Sequence, residues 1–126
     1  MDSLRIMVVD DSSITIKKLT QLLEQLGHGV VCSCKTVAEA VVNYREYRPD
    51  LVTMDITMPD MDGIEATRQI LEVFPEALII MVTSHGQEQM VIDSIDVGAK
   101  GYVLKPIKAD KLGEMIRQVY ERYKSL

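Results

Sequence analysis

The sequence predicts an α/β protein, a doubly wound five-stranded parallel sheet with five helices. Three observations predict it. Five short apolar runs alternate with five stretches of helical periodicity, the pattern that builds βαβ units. The runs are nearly continuous in Val, Ile, Leu and Met, as strands buried on both faces are. The connections are short, which folds each helix back onto the sheet.

Run one is Leu4–Val9. The helix after it has Ser12 or Ser13 as its cap, Ile16, Leu19, Leu23 and Leu26 on one stripe, and Gly27 as its stop. Run two is Val30–Cys34, and Thr36-Val37-Ala38-Glu39 fits a capping box for the second helix, which Pro49 ends. Run three is Leu51–Met54. A loop through Pro59 and Gly63 leads to a helix with Ile64, Thr67, Ile70, Leu71 and Phe74 on its stripe and Pro75 at its end. Run four, Leu78–Val82, precedes Thr83-Ser84-His85-Gly86 and a helix near Gln87–Val97, with Val91 and Ile95 as its expected core positions and Gly98 closing it. Run five is Tyr102–Leu104. The last helix, Ala109 to Lys124, carries Leu112, Met115, Ile116, Val119 and Tyr123.

The chain has 126 residues, enough for one domain spanning 1–126 and too few for two ordinary ones. Its net charge of −5 argues against broad binding to a nucleic-acid backbone. No apolar run approaches the roughly 18 residues of a membrane-spanning helix. Met1-Asp2-Ser3-Leu4-Arg5 lacks the basic and apolar regions of a signal peptide, so a cytoplasmic location is expected. Cys32 and Cys34 fall on one face of a strand, with His28 upstream. A structural zinc site needs four ligands, and no second Cys/His cluster exists, so reduced, at least half-buried thiols are expected.

The chemistry should lie where the runs end. Asp10 and Asp11 follow run one, Asp55 follows run three, and Lys105-Pro106 follows run five. Ligands of open α/β sheets bind beyond the carboxyl ends of the strands, so these side chains should meet at one rim. Three carboxylates held close cannot all stay ionised uncompensated, and Lys105 offsets only one charge. A divalent cation would offset the rest. Carboxylate, carbonyl and water oxygens suit a hard ion such as Mg²⁺, which also favours phosphate ligands, so phosphoryl chemistry is implied. Asp55 stands alone at its strand end and is the candidate nucleophile, while the adjacent Asp10 and Asp11 are better placed to hold metal. Thr83 ends run four and can offer its hydroxyl to a phosphoryl oxygen.

These motifs resemble those of response-regulator receiver domains, and among them the single-domain CheY-like chemotaxis regulators. The matching segments are Val8-Val9-Asp10-Asp11-Ser12, Pro49-Asp50-Leu51-Val52-Thr53-Met54-Asp55-Ile56-Thr57-Met58-Pro59 with Asp62-Gly63, Thr83-Ser84, and Gly98-Ala99-Lys100-Gly101-Tyr102-Val103-Leu104-Lys105-Pro106. They stand in family order and spacing, and the resemblance covers essentially the whole chain. It implies a sheet in order 2-1-3-4-5, of which CheY is itself a standard example.

It also implies roles. Asp55 would accept a phosphoryl group from a sensor histidine kinase. Asp11 would hold Mg²⁺ directly and Asp10 through water, with Asp55 and the Thr57 backbone carbonyl completing the protein ligands. Lys105 would pair with the phosphoryl oxygens. Thr83 and the backbone N–H groups of Thr57 and Ser84 would donate to them. Tyr102 matches the family's switch aromatic, and Lys105-Pro106 its cis-proline. Thr57 and His85 would overhang the entry of attacking water and tune the phosphoryl lifetime, although a solvated loop histidine is the favoured reading of His85. Ile107 departs from the family's frequent phenylalanine, which should alter packing only. Two or three new charge-assisted hydrogen bonds, at about 1.5–3 kcal/mol each, reach the ~5.5 kcal/mol that reverses a 1:99 equilibrium.

The resemblance implies a signalling protein, not a turnover enzyme. Its downstream target would be a flagellar motor switch or a phosphotransferase, bound on the surface of the fourth and fifth helices, with a phosphatase as a further partner and a monomer expected. The start at Met1 and the stop after the fifth helix favour a free-standing protein. A phosphorelay intermediate and a receiver of a longer regulator are the alternatives. Haloacid-dehalogenase-like phosphatases also use an aspartate nucleophile, but need a second Asp two positions later. Thr57 and Ser12 stand there instead. A calcium loop through Asp60-Met61-Asp62-Gly63 fails too, since its first and twelfth positions would be Met58 and Gln69. No nucleotide-binding glycine motif is present.

Overall fold

The fold is a three-layer sandwich whose middle layer is a parallel sheet. The computed structural model describes residues 3–58 and 61–124, with the backbone alone at 57, 58 and 61. The strands are β1 (Arg5–Val9), β2 (Gly29–Cys34), β3 (Leu51–Asp55), β4 (Ile79–Thr83) and β5 (Gly101–Leu104), in order β2-β1-β3-β4-β5. The helices are α1 (Ser13–Gln25), α2 (Val37–Tyr47), α3 (Gly63–Val73), α4 (Glu88–Asp96) and α5 (Ala109–Tyr123). All five apolar runs are strands and all five periodic stretches are helices, with ends shifted by a residue or two. Pro59, in the loop before α3, lies outside the described residues.

Alternation along the strands explains the layers. Met7 and Val9 of β1, Val52 and Met54 of β3, and Ile79 and Met81 of β4 face one core, closed by Ala40 and Tyr44 of α2 and Ala66 and Ile70 of α3. Ile6, Val8, Leu51, Ile80 and Val103 face the opposite core, closed by Leu19 and Leu23 of α1 and Leu112, Ile116 and Val119 of α5. Burial of both faces is why β1, β3 and β4 read as continuous apolar runs.

The caps refine the expected boundaries. Ser12 caps α1, its side chain accepting from the Thr15 N–H. Thr36 caps α2 by accepting from Glu39, but the Glu39 carboxylate accepts from the Lys35 N–H, one residue before the cap. Asp62, expected only as part of a loop motif, caps α3 by accepting from the Ile64 and Glu65 N–H groups. In α4 the expected core position Ile95 is 45% exposed, a correction to the sequence reading. The buried stripe passes instead through Met90, Val91 and Ser94, whose hydroxyl donates to the Val91 carbonyl. A serine at the centre of the buried face hid the true phase of the stripe.

Cys34 is buried and Cys32 partly so, both as free thiols facing the same core. His28 has a structural role. Its Nδ1 accepts the Leu4 N–H at 3.0 Å in a buried setting, which requires a neutral ring protonated on Nε2. Burial lowers its pKa below 6.5. The folded state therefore binds fewer protons than the unfolded state, and this stabilisation is present above pH ~6.5 and lost as pH falls through the folded pKa. Urea unfolding of wild type and His28→Leu should show a difference that shrinks on acidification from neutral pH to ~5. Equal pH dependence in both proteins would contradict this role.

Candidate functional site

Strand register brings the predicted residues to one rim. Val9 of β1 pairs with Met54 of β3, so the next residues, Asp10 and Asp55, leave the sheet side by side. This is where strand order reverses about β1, the place such sheets use for ligands. Asp10, Asp11 and Asp55 each offer a carboxylate oxygen within 4.8 Å of the others. Lys105 reaches them from the end of β5, with Nζ 3.5 Å from Asp55 Oδ1 and 3.9 Å from Asp10 Oδ2. Its backbone N–H donates to the Thr83 carbonyl at 2.7 Å, and the Lys105–Pro106 bond is cis. The lysine thus turns back across the ends of β4 and β3.

Hydrogen bonds hold two of the three carboxylates, Asp10 through the Ser12 N–H and Asp55 through Lys105 Nζ. Asp10 Oδ1 accepts the Ser12 N–H at 2.8 Å, which ties it to the cap of α1. Asp10 Oδ2 is buried and has no hydrogen-bond partner among the described residues. Burial raises the Asp10 pKa, opposed by the Ser12 N–H and Lys105. Asp55 is pushed up to about 6, first by burial and then by the Asp10 charge, with Lys105 acting against both. An orphaned carboxylate oxygen and three crowded acids are what a cation would satisfy. The donor set is entirely oxygen, so it fits Mg²⁺ and does not suit zinc.

The other predicted residues fall around this cluster. Thr57 lies two residues beyond Asp55, its backbone pairing with Asp62 in a short antiparallel ribbon of Thr57–Met58 with Met61–Asp62. Its side chain lies outside the described residues. Thr83 is buried at the end of β4, but its hydroxyl is turned to Gln87 Oε1 at 2.8 Å, and the Ser84 N–H donates to the same oxygen. His85 is exposed and lines the groove between β5 and α5 with Tyr102, Lys105 and Met115. Tyr102 faces outward at 43% exposure, and Ile107 is buried in the α1/α5 core. In the sequence Gln87 marks only the start of a helix. A glutamine at a helix start carries no signal that it turns back to a strand end.

A model of the response regulator receiver domain family matches residues 6–117. The chain belongs to that family. Within it, the chain is 45% identical to chemotaxis protein CheY of Bacillus subtilis, over 90% of this chain and 95% of that protein. It is 38% identical to chemotaxis protein CheY of Thermotoga maritima, over 91% of this chain and 96% of that one. Among solved structures, CheY in the CheX–CheY–BeF3–Mg²⁺ complex of Borrelia burgdorferi is similar, with a TM-score of 0.86 and 36% identity over 92% of this chain and 88% of that chain. This is a receiver domain closely related to the CheY chemotaxis regulators. No helix among the described residues is long and apolar enough to cross a membrane.

Proposed function

We propose that the chain is a one-domain phosphoacceptor of CheY type, taking a phosphoryl group on Asp55 from a sensor histidine kinase while Asp10, Asp11 and Asp55 hold Mg²⁺. One observation carries the reading. Asp55, buried at the end of β3, faces Lys105 Nζ at 3.5 Å within a three-carboxylate cluster. An Asp55 oxygen attacks phosphorus of the donor phosphohistidine. A P–O bond forms, the P–N bond breaks, and its electron pair returns to the imidazole. Bound Mg²⁺ would supply positive charge that screens the phosphoryl group from the carboxylates. Lys105 supplies the protein's own cation on the other side, and the Thr57 carbonyl would complete the metal ligands. Thr57, Ser84 and Thr83 would donate to the phosphoryl oxygens, with Tyr102 following Thr83 inward. His85 and Thr57 would govern access of hydrolytic water.

The CheY relatives support a chemotaxis output at a motor switch and a signalling role without substrate turnover in the cytoplasm. The Borrelia CheX complex supports a partner of CheX type, a phosphatase in this reading. Pull-down with and without beryllofluoride tests the output. Capture of a motor-switch protein only with beryllofluoride supports the reading, whereas phosphotransfer to a histidine phosphotransferase contradicts it.

Lys105 has two opposed effects that can be separated. Its ammonium competes with a cation for the same carboxylates, so Lys105→Met should bind Mg²⁺ several-fold more tightly, as loss of about 1 kcal/mol of repulsion implies. The same variant should be phosphorylated at least ~10-fold more slowly, since an electrostatic clamp is missing. Weaker Mg²⁺ binding in Lys105→Met would contradict the arrangement.

A further inference from the structure

We infer that Gln87 is a latch that holds the phosphoryl-binding donors in the resting state, an inference that rests on Asp55 being the phosphoacceptor. The Ser84 N–H lies 2.8 Å from Gln87 Oε1, and Thr83 Oγ1 lies 2.8 Å from the same atom. A backbone N–H can only donate, so the amide atom facing it is the oxygen, and the Thr83 hydroxyl donates to that oxygen as well. These are two of the donors assigned above to the phosphoryl oxygens. One carboxamide oxygen therefore occupies two donors that a phosphoryl oxygen would need. Each donor carries one proton, so the phosphoryl group gains them only as Gln87 gives them up.

The position of Gln87 gives the exchange a reach beyond the site. It is the N-cap residue of α4, yet its side chain makes no capping bond to its own helix. Instead it ties the helix start to the end of β4. Taking Thr83 and Ser84 away from Gln87 frees that tether. The outer side of α4 carries Ile92 and Ile95, 53% and 45% exposed, and Gln87, Val91, Ile92, Tyr102 and Leu104 line one groove with Thr83. Release of the amide would therefore loosen α4 beside the Tyr102 side chain. Gln87 is a positioning residue: it sets the resting affinity for the phosphoryl group and couples its arrival to α4.

Calorimetric titration with beryllofluoride in Mg²⁺ tests this with variants of opposite expected sign. Gln87→Leu lacks the competing acceptor and should bind about tenfold more tightly than wild type, with Gln87→Ala following it. Gln87→Glu keeps an acceptor and adds negative charge, and should bind about tenfold more weakly. The Ser84 amide proton of ligand-free Gln87→Leu should move upfield, the signature of a lost hydrogen bond. A residue needed only for structure would weaken binding in all three variants. If wild type binds beryllofluoride and the Leu and Ala variants bind no more tightly, the latch is overturned. Failure of wild type to bind, or wild-type affinity in Asp55→Asn, overturns the phosphoacceptor reading itself.

Discussion

Asp55→Asn should abolish phosphoryl uptake and make the metal-free protein more stable. An amide oxygen is a poor nucleophile, so acyl-phosphate formation at this position should fall below detection. The stability gain follows from the acids at the rim. Asp55 has a folded pKa of about 6 because burial and the Asp10 charge both disfavour its ionised form. A folded pKa above the unfolded value means that its stability contribution is full below pH ~4 and lost as pH rises through ~6. At pH 8 the ionised carboxylate therefore costs on the order of 2 kcal/mol, which asparagine relieves. Urea unfolding in EDTA should show Asp55→Asn more stable by about that amount at pH 8, with the gap closing towards pH 4. Saturating Mg²⁺ should also narrow it, since the cation binds the folded wild type. A variant less stable than wild type at pH 8 without metal would show that the carboxylates are not crowded.

Gly63→Ala should be the most damaging single methyl group in the protein. Gly63 opens α3 and its N–H donates to the Ile56 carbonyl at 2.9 Å. A Cβ there would sit 2.0 Å from the Asp55 carbonyl oxygen and 2.9 Å from Ile56 Cα. Both are backbone atoms at the end of a central strand, so no side chain can swing away. Either α3 or the end of β3 must move, and core overpacking of this kind costs about 3 kcal/mol or more. Thermal unfolding should register that loss. Mg²⁺ affinity of the surviving folded fraction should fall as well, because the displaced atoms carry Asp55. Gly98→Ala is a useful contrast. Unlike Gly63 it has a left-handed φ of 119°, and its nearest neighbour is the movable Leu71 side chain. Its cost should be in stability without a change in cation affinity. Wild-type stability and cation binding in Gly63→Ala would mean that α3 does not abut the Asp55 backbone.

Much of this was legible in the sequence because burial leaves a strong imprint. Strands covered on both faces must be apolar throughout, and helices on a sheet must carry a stripe, so ten elements could be located before any geometry. Strand order leaves no such imprint and came only through the resemblance. The rim was legible because residues ending parallel strands share an edge, which gathered Asp10, Asp55 and Lys105 from distant segments. Side-chain direction was not. Asp62 could serve equally as loop or cap, His28 as ligand or acceptor, and Gln87 as any helix start. Their roles depend on which backbone group lies within 3.5 Å, a fact that composition and spacing do not encode. Ile95 shows the same limit, since one buried serine shifted the apparent stripe by a residue.

Asp55 as the phosphoryl acceptor of this rim can be tested chemically. Exposing the protein to a small acyl phosphate with Mg²⁺, then to borohydride, reduces an aspartyl-phosphate to homoserine at the modified position. Peptide mass spectrometry should then find homoserine at residue 55, in amounts that depend on Mg²⁺, and none in Asp55→Asn. Homoserine at position 10 or 11 instead, or no conversion in the folded wild type, would contradict the account.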